Sequence, residues 1–263
     1  MKKKIVIVLR FVFAFVLYFG VAQAVGAKPN AQTETEYPQR PIRMIAVVTA
    51  GGGADIYARM LARKIGEALA QQVVVDNRGG ANGVIGTELA VKAAPDGYAL
   101  LFVTSAHTIN AADQRRLPYD TLVDLAPISL FAEFGIFLVS YPGFPSKSVP
   151  ELLALARARS GKMSSNRSPA WSEGPAMLEV GYPRVAGSVW YGLMVPANTP
   201  RQVIAGLNAE SNRILATEEV RARLDAVGIE VAGGGTPEDF GKFIRAEIAK
   251  WAPVVKAAGI VPE

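Results

Sequence analysis

The chain has 263 residues, 50% of them hydrophobic and 19% charged, with a formal net charge of +5, one histidine and no cysteine. Such a composition suits a folded protein of one large domain or two modest ones, and it excludes disulfide staples, thiolate chemistry and cysteine metal sites. A single histidine, His107, argues against both a histidine-based metal site and a conventional catalytic triad.

The first stretch, MKKKIVIVLRFVFAFVLYFGVAQA, joins three lysines to an apolar run richest from Phe11 to Val21 and ends on Ala22-Gln23-Ala24. These are the parts of a secretory signal peptide over residues 1–24, with a second cleavage point after residue 27. An uncleaved membrane anchor is the alternative, disfavoured by the shortness of the run and by Arg10 within it. Residues 1–24 hold four of the 28 basic residues and none of the 23 acidic ones, so the remainder carries a net charge of about +1. The basic balance therefore sits in the leader and gives no reason to expect a nucleic-acid partner. Residues 25–36 are polar and are expected to form an exposed lead-in.

From Tyr37 the pattern alternates. IRMIAVVT (42–49) is a β-branched run, and IYARMLARKIGEALA (56–70) places apolar residues on one helical face. QVVVDN (72–77), VIGTELAVKAA (84–94) and YALLFVT (98–104) continue as strand, helix and strand, with Pro95-Asp96-Gly97 as a turn. Strands that alternate with helices predict a mainly parallel sheet. Further on, GIFLVSY (135–141) and VWYGLMV (189–195) are expected strands. Ser148–Glu151 is a capping box for a helix over 151–159, Thr199 caps another helix that has Pro200 at its first position, and Thr236–Asp239 caps the last.

Two glycine-rich loops follow strands and precede helices. TAGGGAD, Thr49 to Asp55, would let backbone approach a ligand and would offer an anion the free N–H groups of a helix start. It is neither a Walker loop nor a dinucleotide fingerprint, since Ile56 stands where the third glycine belongs; the second loop, NRGGANGVIG, fails at Ala81. A tight turn without a ligand explains the glycines equally well, and helix capping is the favoured role for Asp55 on residue type alone. Thr104, Ser105 and His107 sit in a third strand-end loop, at the sheet edge where α/β ligands bind. A lone histidine is more often a surface or hydrogen-bonded group than a catalyst, and no GxSxG, HExxH or paired-carboxylate pattern accompanies it. An α/β enzyme using a nucleotide is accordingly the weakest reading.

The segment from Tyr37 to Ser105, with LPYDTLVDLAPISL and the tail from Ser188 to Ile260, resembles the Bug/TctC family of substrate-binding proteins of tripartite tricarboxylate transporters. The resemblance implies a periplasmic-binding-protein-like (type II), two-lobed Venus flytrap in the periplasm. It further implies a small carboxylate ligand in the cleft, membrane transporter subunits as partners, no cofactor and no enzymatic activity. Lobe 1 would comprise 37–134 and 236–263, and lobe 2 would comprise 135–235. Carried over residue by residue, Gly51, Gly52, Gly53, Ala54 and Asp55 form the first-lobe ligand loop, and Thr104 and Ser105 also face the cleft. The family's usual Pro-Gly-Gly is here Ala50-Gly51-Gly52-Gly53, which loosens the loop because proline would fix φ. The oligomeric state does not follow from the resemblance.

GKMSSNRSPAWSEGP (161–175) departs from the family. A family member runs from Gly-Lys-Met-Ser into a strand, a ligand loop and further α/β units before anything like the segment after Asn166. On the order of 60 residues are therefore expected to be missing at a seam near 164–166, which leaves the second lobe truncated. A loop this long inside a compact domain is itself unusual. The seam is expected to weaken binding and expose strand edges; a degenerate member that acts through protein contacts is the alternative function.

Overall fold

The computed structural model describes residues 37–113, 117–136, 145–152, 154, 187–226, 228–229, 231 and 235–257. Five strands form one sheet in the order β2-β1-β3-β5-β4, where β1 is Ile42–Ala46, β2 Val73–Asn77, β3 Ala99–Thr104, β4 Leu125–Gly135 and β5 Ser188–Pro196. The first three are parallel, as the alternating pattern predicts. β5 runs antiparallel to both β3 and β4, so β4 points the same way as β1.

The helices are α1 (Gly53–Ala68), α2 (Val84–Val91, entered through a 3-10 turn at Ala81–Gly83), α3 (Ala106–Ala112), α4 (Arg201–Leu215), α5 (Glu218–Asp225) and α6 (Pro237–Ala257). α1 forms because Ala58, Leu61, Ala62 and Ile65 recur at helical spacing and are buried as one stripe on the sheet. It stops where Ala70 turns left-handed (φ 48°) and the Gln71 N–H bonds the Gly66 carbonyl at 3.1 Å.

Strand alternation sorts the helices onto two faces. Tyr191 of β5 points to α1, with its ring 5.5 Å from Tyr57, while its neighbour Trp190 points to α6 and meets Phe240 and Phe243 edge-on at 5.8 and 5.5 Å. Ile45, Leu101, Val103, Trp190 and Met194 join Ala90 of α2 and Phe240 and Ile244 of α6 in one buried cluster. β3 is buried on both faces, which explains its unbroken apolar run.

Several expectations need correction. β4, Leu125–Gly135, is a strand not expected from the sequence; the strand expected at 135–141 lies outside the described residues from 137 on. Pro127 hides β4 in the sequence, yet β4 is an edge strand whose pairing shifts around Pro127, so the missing N–H costs no ladder bond. Residues 188–225, expected in the second lobe at 135–235, pack on elements expected in the first. β5 is buried along nearly its whole length and gains its cover by pairing between β3 and β4, and α4 packs on β4. Thr199 does not cap α4: its hydroxyl donates to the Pro196 carbonyl (2.8 Å), and Pro200 is the N-cap. The Thr236 box forms as expected, with the Asp239 N–H donating to Thr236 Oγ1 (3.1 Å) and the Thr236 N–H to Asp239 Oδ2 (3.2 Å). Ser148 accepts weakly from the Glu151 N–H (3.4 Å), whereas the Glu151 carboxylate reaches the N–H of Lys147 rather than that of Ser148. The helix expected at 151–159 lies largely outside the described residues, as does the stretch 161–175.

Candidate functional site

Strand order locates a crevice. The chain passes from β1 to β2 on one side of β1, then to β3 on the other, so the connections diverge between the carboxyl ends of β1 and β3. Open α/β sheets bind ligands at such a switch point. Gly51 and Gly52 follow β1, Gly53, Ala54 and Asp55 open α1, and Thr104 and Ser105 stand at the end of β3, so the seven residues singled out from sequence lie at the carboxyl ends of two neighbouring parallel strands.

The first loop is built to present backbone. Gly51 has φ +81°, a conformation that side chains resist, and Gly52 is the N-cap of α1. The N–H groups of Gly53 and Ala54 make no hydrogen bond among the described residues, and they carry the positive end of a four-turn helix. Gly51, Gly52 and Gly53 are exposed.

Asp55 turns the other way. It is 3% exposed; Oδ2 accepts from the Gly51 N–H (2.8 Å) and Arg59 Nε (3.0 Å), and Oδ1 accepts from Asn77 Nδ2 (2.8 Å). Arg59 Nη2 then donates to Asn77 Oδ1 at 2.7 Å, which closes a ring of Asp55, Arg59 and Asn77. Burial by itself would raise the Asp55 pKa. The hydrogen bonds from Gly51, Asn77 and Arg59, together with the Arg59 charge, outweigh it and hold the carboxyl below its ordinary value. With both oxygens engaged, Asp55 is a clamp on the loop rather than a group free to meet a ligand. Neither Arg59 nor Asn77 emerged from the sequence; the i,i+4 spacing of Asp55 and Arg59 was the available signal.

On the other side of the crevice, the Ser105 N–H donates to the Trp190 carbonyl (3.1 Å), the Ser105 carbonyl accepts from the Thr108 hydroxyl (3.0 Å), and Thr104 Oγ1 accepts from the Ala106 N–H (3.4 Å). The Ser105 hydroxyl has no hydrogen-bond partner among the described residues and is half-buried. The second glycine loop is tied to α3 by a reciprocal amide pair: Asn82 Nδ2 donates to Asn110 Oδ1 (2.8 Å) and Asn110 Nδ2 to the Asn82 carbonyl (2.9 Å).

His107 is neither a surface nor a hydrogen-bonded histidine. It is 3% exposed, its ring nitrogens have no partner among the described residues, and it stacks on Tyr119 with centroids 6.2 Å apart. Burial pushes its pKa down to about 4 from 6.5. The unfolded chain therefore binds a proton near pH 6.5 that the folded chain refuses until about pH 4, so stability is complete above 6.5 and falls with pH across that window. His107→Phe should remove about 2 kcal/mol of the stability difference between pH 7 and pH 5. Urea titrations at pH 7 and pH 5 measure it; an unchanged difference between the two pH values would contradict the assignment.

A mixed sheet with helices on both faces and a ligand crevice at the switch point defines the periplasmic-binding-protein type of fold. Solved structures agree: "Structure of a periplasmic transporter" matches with a TM-score of 0.74 at 27% identity, over 85% of this chain and 99% of that one. MatC from Rhodopseudomonas palustris, solved with bound malate, matches with a TM-score of 0.74 at 22% identity, over 83% of this chain and 100% of that one. The family model described as "Tripartite tricarboxylate transporter family receptor" matches residues 57–166 and again 161–260. The chain belongs to that family. Among named relatives, Protein BugT of Bordetella pertussis is 29% identical over 314 residues, covering 92% of this chain and 95% of its own. Since 92% of 263 residues is about 242, some 70 of the 314 aligned positions have no counterpart here. The family and its structural neighbours are solute-binding proteins rather than enzymes.

Proposed function

We propose that this protein is an extracytoplasmic receptor that captures a small organic carboxylate for a tripartite tricarboxylate-type transporter, exported to the periplasm by residues 1–24. One observation carries the reading. The helix start at Gly53–Ala54 and the Thr104–Ser105 segment lie at the carboxyl ends of β1 and β3, at the switch point, and no catalytic set accompanies them among the described residues. Carboxylate ligands in structural neighbours, malate in one and adipate in another, support the ligand class. Gly51, Gly52, Gly53, Ala54, Thr104 and Ser105 would receive the ligand carboxylate, with Asp55 holding the loop. A thermal-shift panel of dicarboxylates and aromatic acids on the mature chain tests this. A ligand at a hundredfold its Kd should add about 2.7 kcal/mol of stability, and Ser105→Ala should weaken that ligand several-fold without lowering the ligand-free Tm. A folded sample that no ligand stabilises rejects the reading.

A second reading has its own observation. The two family matches meet at residues 161–166, and many positions of BugT have no counterpart in this chain. On that reading the second lobe is shortened at the seam, solute binding is lost, and the protein acts through protein contacts. Grafting the corresponding segment from a full-length relative would then restore carboxylate binding that the natural chain lacks.

A further inference from the structure

Beside the start of α1 the sheet carries a wall of aromatic rings. Gly53 and Tyr57 lie four residues apart on α1, so they share a stripe, and the Tyr57 side chain leans toward the helix N-terminus. Its ring stands 5.5 Å from that of Tyr191, which in turn lies 5.4 Å from both Phe102 and Phe134. Strand register puts these groups on one side of the sheet. Thr104 is the partner of Tyr191, and Phe134 is the partner of Val189, two residues from Tyr191, so all of them point to the face that α1 covers. β3 ends at Thr104, level with Tyr191, and Phe134 therefore lies beyond its last pair, at the carboxyl edge where α1 begins.

Phe102 and Tyr191 are buried, whereas Tyr57, Phe134 and Thr104 are half-buried. Tyr191 is 7% exposed, and its hydroxyl has no hydrogen-bond partner among the described residues, yet the oxygen is not sealed from solvent. The Tyr57 hydroxyl is likewise unbonded among the described residues. Burial and the nearby Tyr57 phenol push the Tyr191 pKa up to about 12, and burial raises that of Tyr57 against the charge of Arg223. The wall is thus apolar, with two neutral hydroxyls free to bond a ligand.

We propose that this wall receives the body of an aryl carboxylate. The carboxylate meets the Gly53–Ala54 N–H groups, the ring lies against Tyr57 and Phe134, and a hydrogen-bonding substituent on the ring meets the Tyr191 hydroxyl. The inference rests on the carboxylate-receptor reading above and narrows its ligand. A ring packed on such a surface gains several-fold to about tenfold in affinity over an aliphatic chain. A second carboxylate brought against the same rings would lose its hydration without a charge in return. Arg223, exposed on α5, is the cation whose charge reaches Tyr57, so a dianion that spans to it is the competing ligand. The competing role for the rings is packing alone, and their truncation would then lower stability without reordering ligands.

4-Hydroxyphenylacetate, phenylacetate and adipate, titrated calorimetrically into the natural chain, Tyr57→Leu and Tyr191→Phe, separate these roles. The natural chain should bind them in that order, with phenylacetate at least about threefold tighter than adipate. Tyr57→Leu should weaken both aryl acids by about threefold or more and leave adipate within twofold. Tyr191→Phe keeps the ring; it should abolish the advantage of the hydroxylated acid and leave phenylacetate within about twofold. Adipate bound by the natural chain as tightly as the aryl acids, or an unchanged order of the three in both variants, overturns this inference and leaves the receptor reading standing. The order in the natural chain decides even where a variant fails to fold. No binding of any probe or panel acid to the folded natural chain overturns the receptor reading, and this inference with it.

Discussion

Replacing Gly192 by alanine should cost about 3 kcal/mol of stability or prevent folding altogether. A Cβ at Gly192 would lie 2.2 Å from Cζ of Phe240, 2.8 Å from Cε1 and 3.1 Å from Cε2. The phenyl ring has no easy retreat. It packs edge-on against the fully buried Trp190 and is itself 3% exposed. The glycine sits in mid-strand, where it ordinarily weakens a sheet, and its absent side chain is what allows α6 to close on β5. Urea denaturation of Gly192→Ala, Phe240→Leu and the double variant tests this. The double variant should be more stable than the sum of the two changes predicts by at least about 1 kcal/mol, because a shorter side chain relieves the clash. Additive effects, or wild-type stability in Gly192→Ala, would refute the close approach.

Parts of this architecture are legible in the sequence for identifiable reasons. α1 and β3 announce themselves through periodicity and an unbroken apolar run, and both loops that flank the crevice are visible because glycine or a small polar residue follows each strand. β4 was missed because Pro127 reads as a strand breaker, and only its edge position removes the objection. The place of β5 was missed for a different reason. Which strands pair is a property of the whole sheet, and nothing local in SVWYGLMVP says that it inserts between β3 and β4. The inward turn of Asp55 depends on Asn77, 22 residues away, so residue type at one position could not distinguish a ligand group from a clamp.

The same topology makes the described sheet insensitive to the length of the segment between β4 and β5. The chain leaves the sheet after Gly135 and returns at Ser188, and these two residues are direct partners in the β4–β5 ladder. That pair joins the two ends of the segment between β4 and β5. Because closure entropy grows only logarithmically with length, removing tens of residues from such a segment changes the cost of joining its ends by less than about 1 kcal/mol. The register of β1, β3, β4 and β5, and the crevice it frames, are therefore insensitive to the segment's length.

Asp55→Ala should loosen the crevice from within, with the larger consequence for binding. The carboxylate is an acceptor surrounded by donors: the Gly51 N–H and Arg59 Nε at one oxygen, Asn77 Nδ2 at the other. Removing it leaves Gly51 without its anchor at a positive φ and leaves Asn77 and Arg59 to find water. About 2 kcal/mol of stability should be lost, toward the low end for a buried ion pair because Arg59 is half exposed. Asparagine is no remedy, since its NH2 must face a donor on one side or the other. The depressed pKa of Asp55 sets the pH signature. Its contribution is complete above the ordinary value of 3.8 and fades as pH falls through the lower folded value, so Asp55→Ala should lose stability less steeply than the natural chain below about pH 4. Binding separates this clamp from a simple electrostatic effect. If Asp55 acted on an anionic ligand chiefly through its charge, both Asp55→Asn and Asp55→Ala would bind carboxylates more tightly. A positioning role predicts that both bind at least tenfold more weakly and that the Gly51 amide loses its protection from hydrogen exchange in the folded protein.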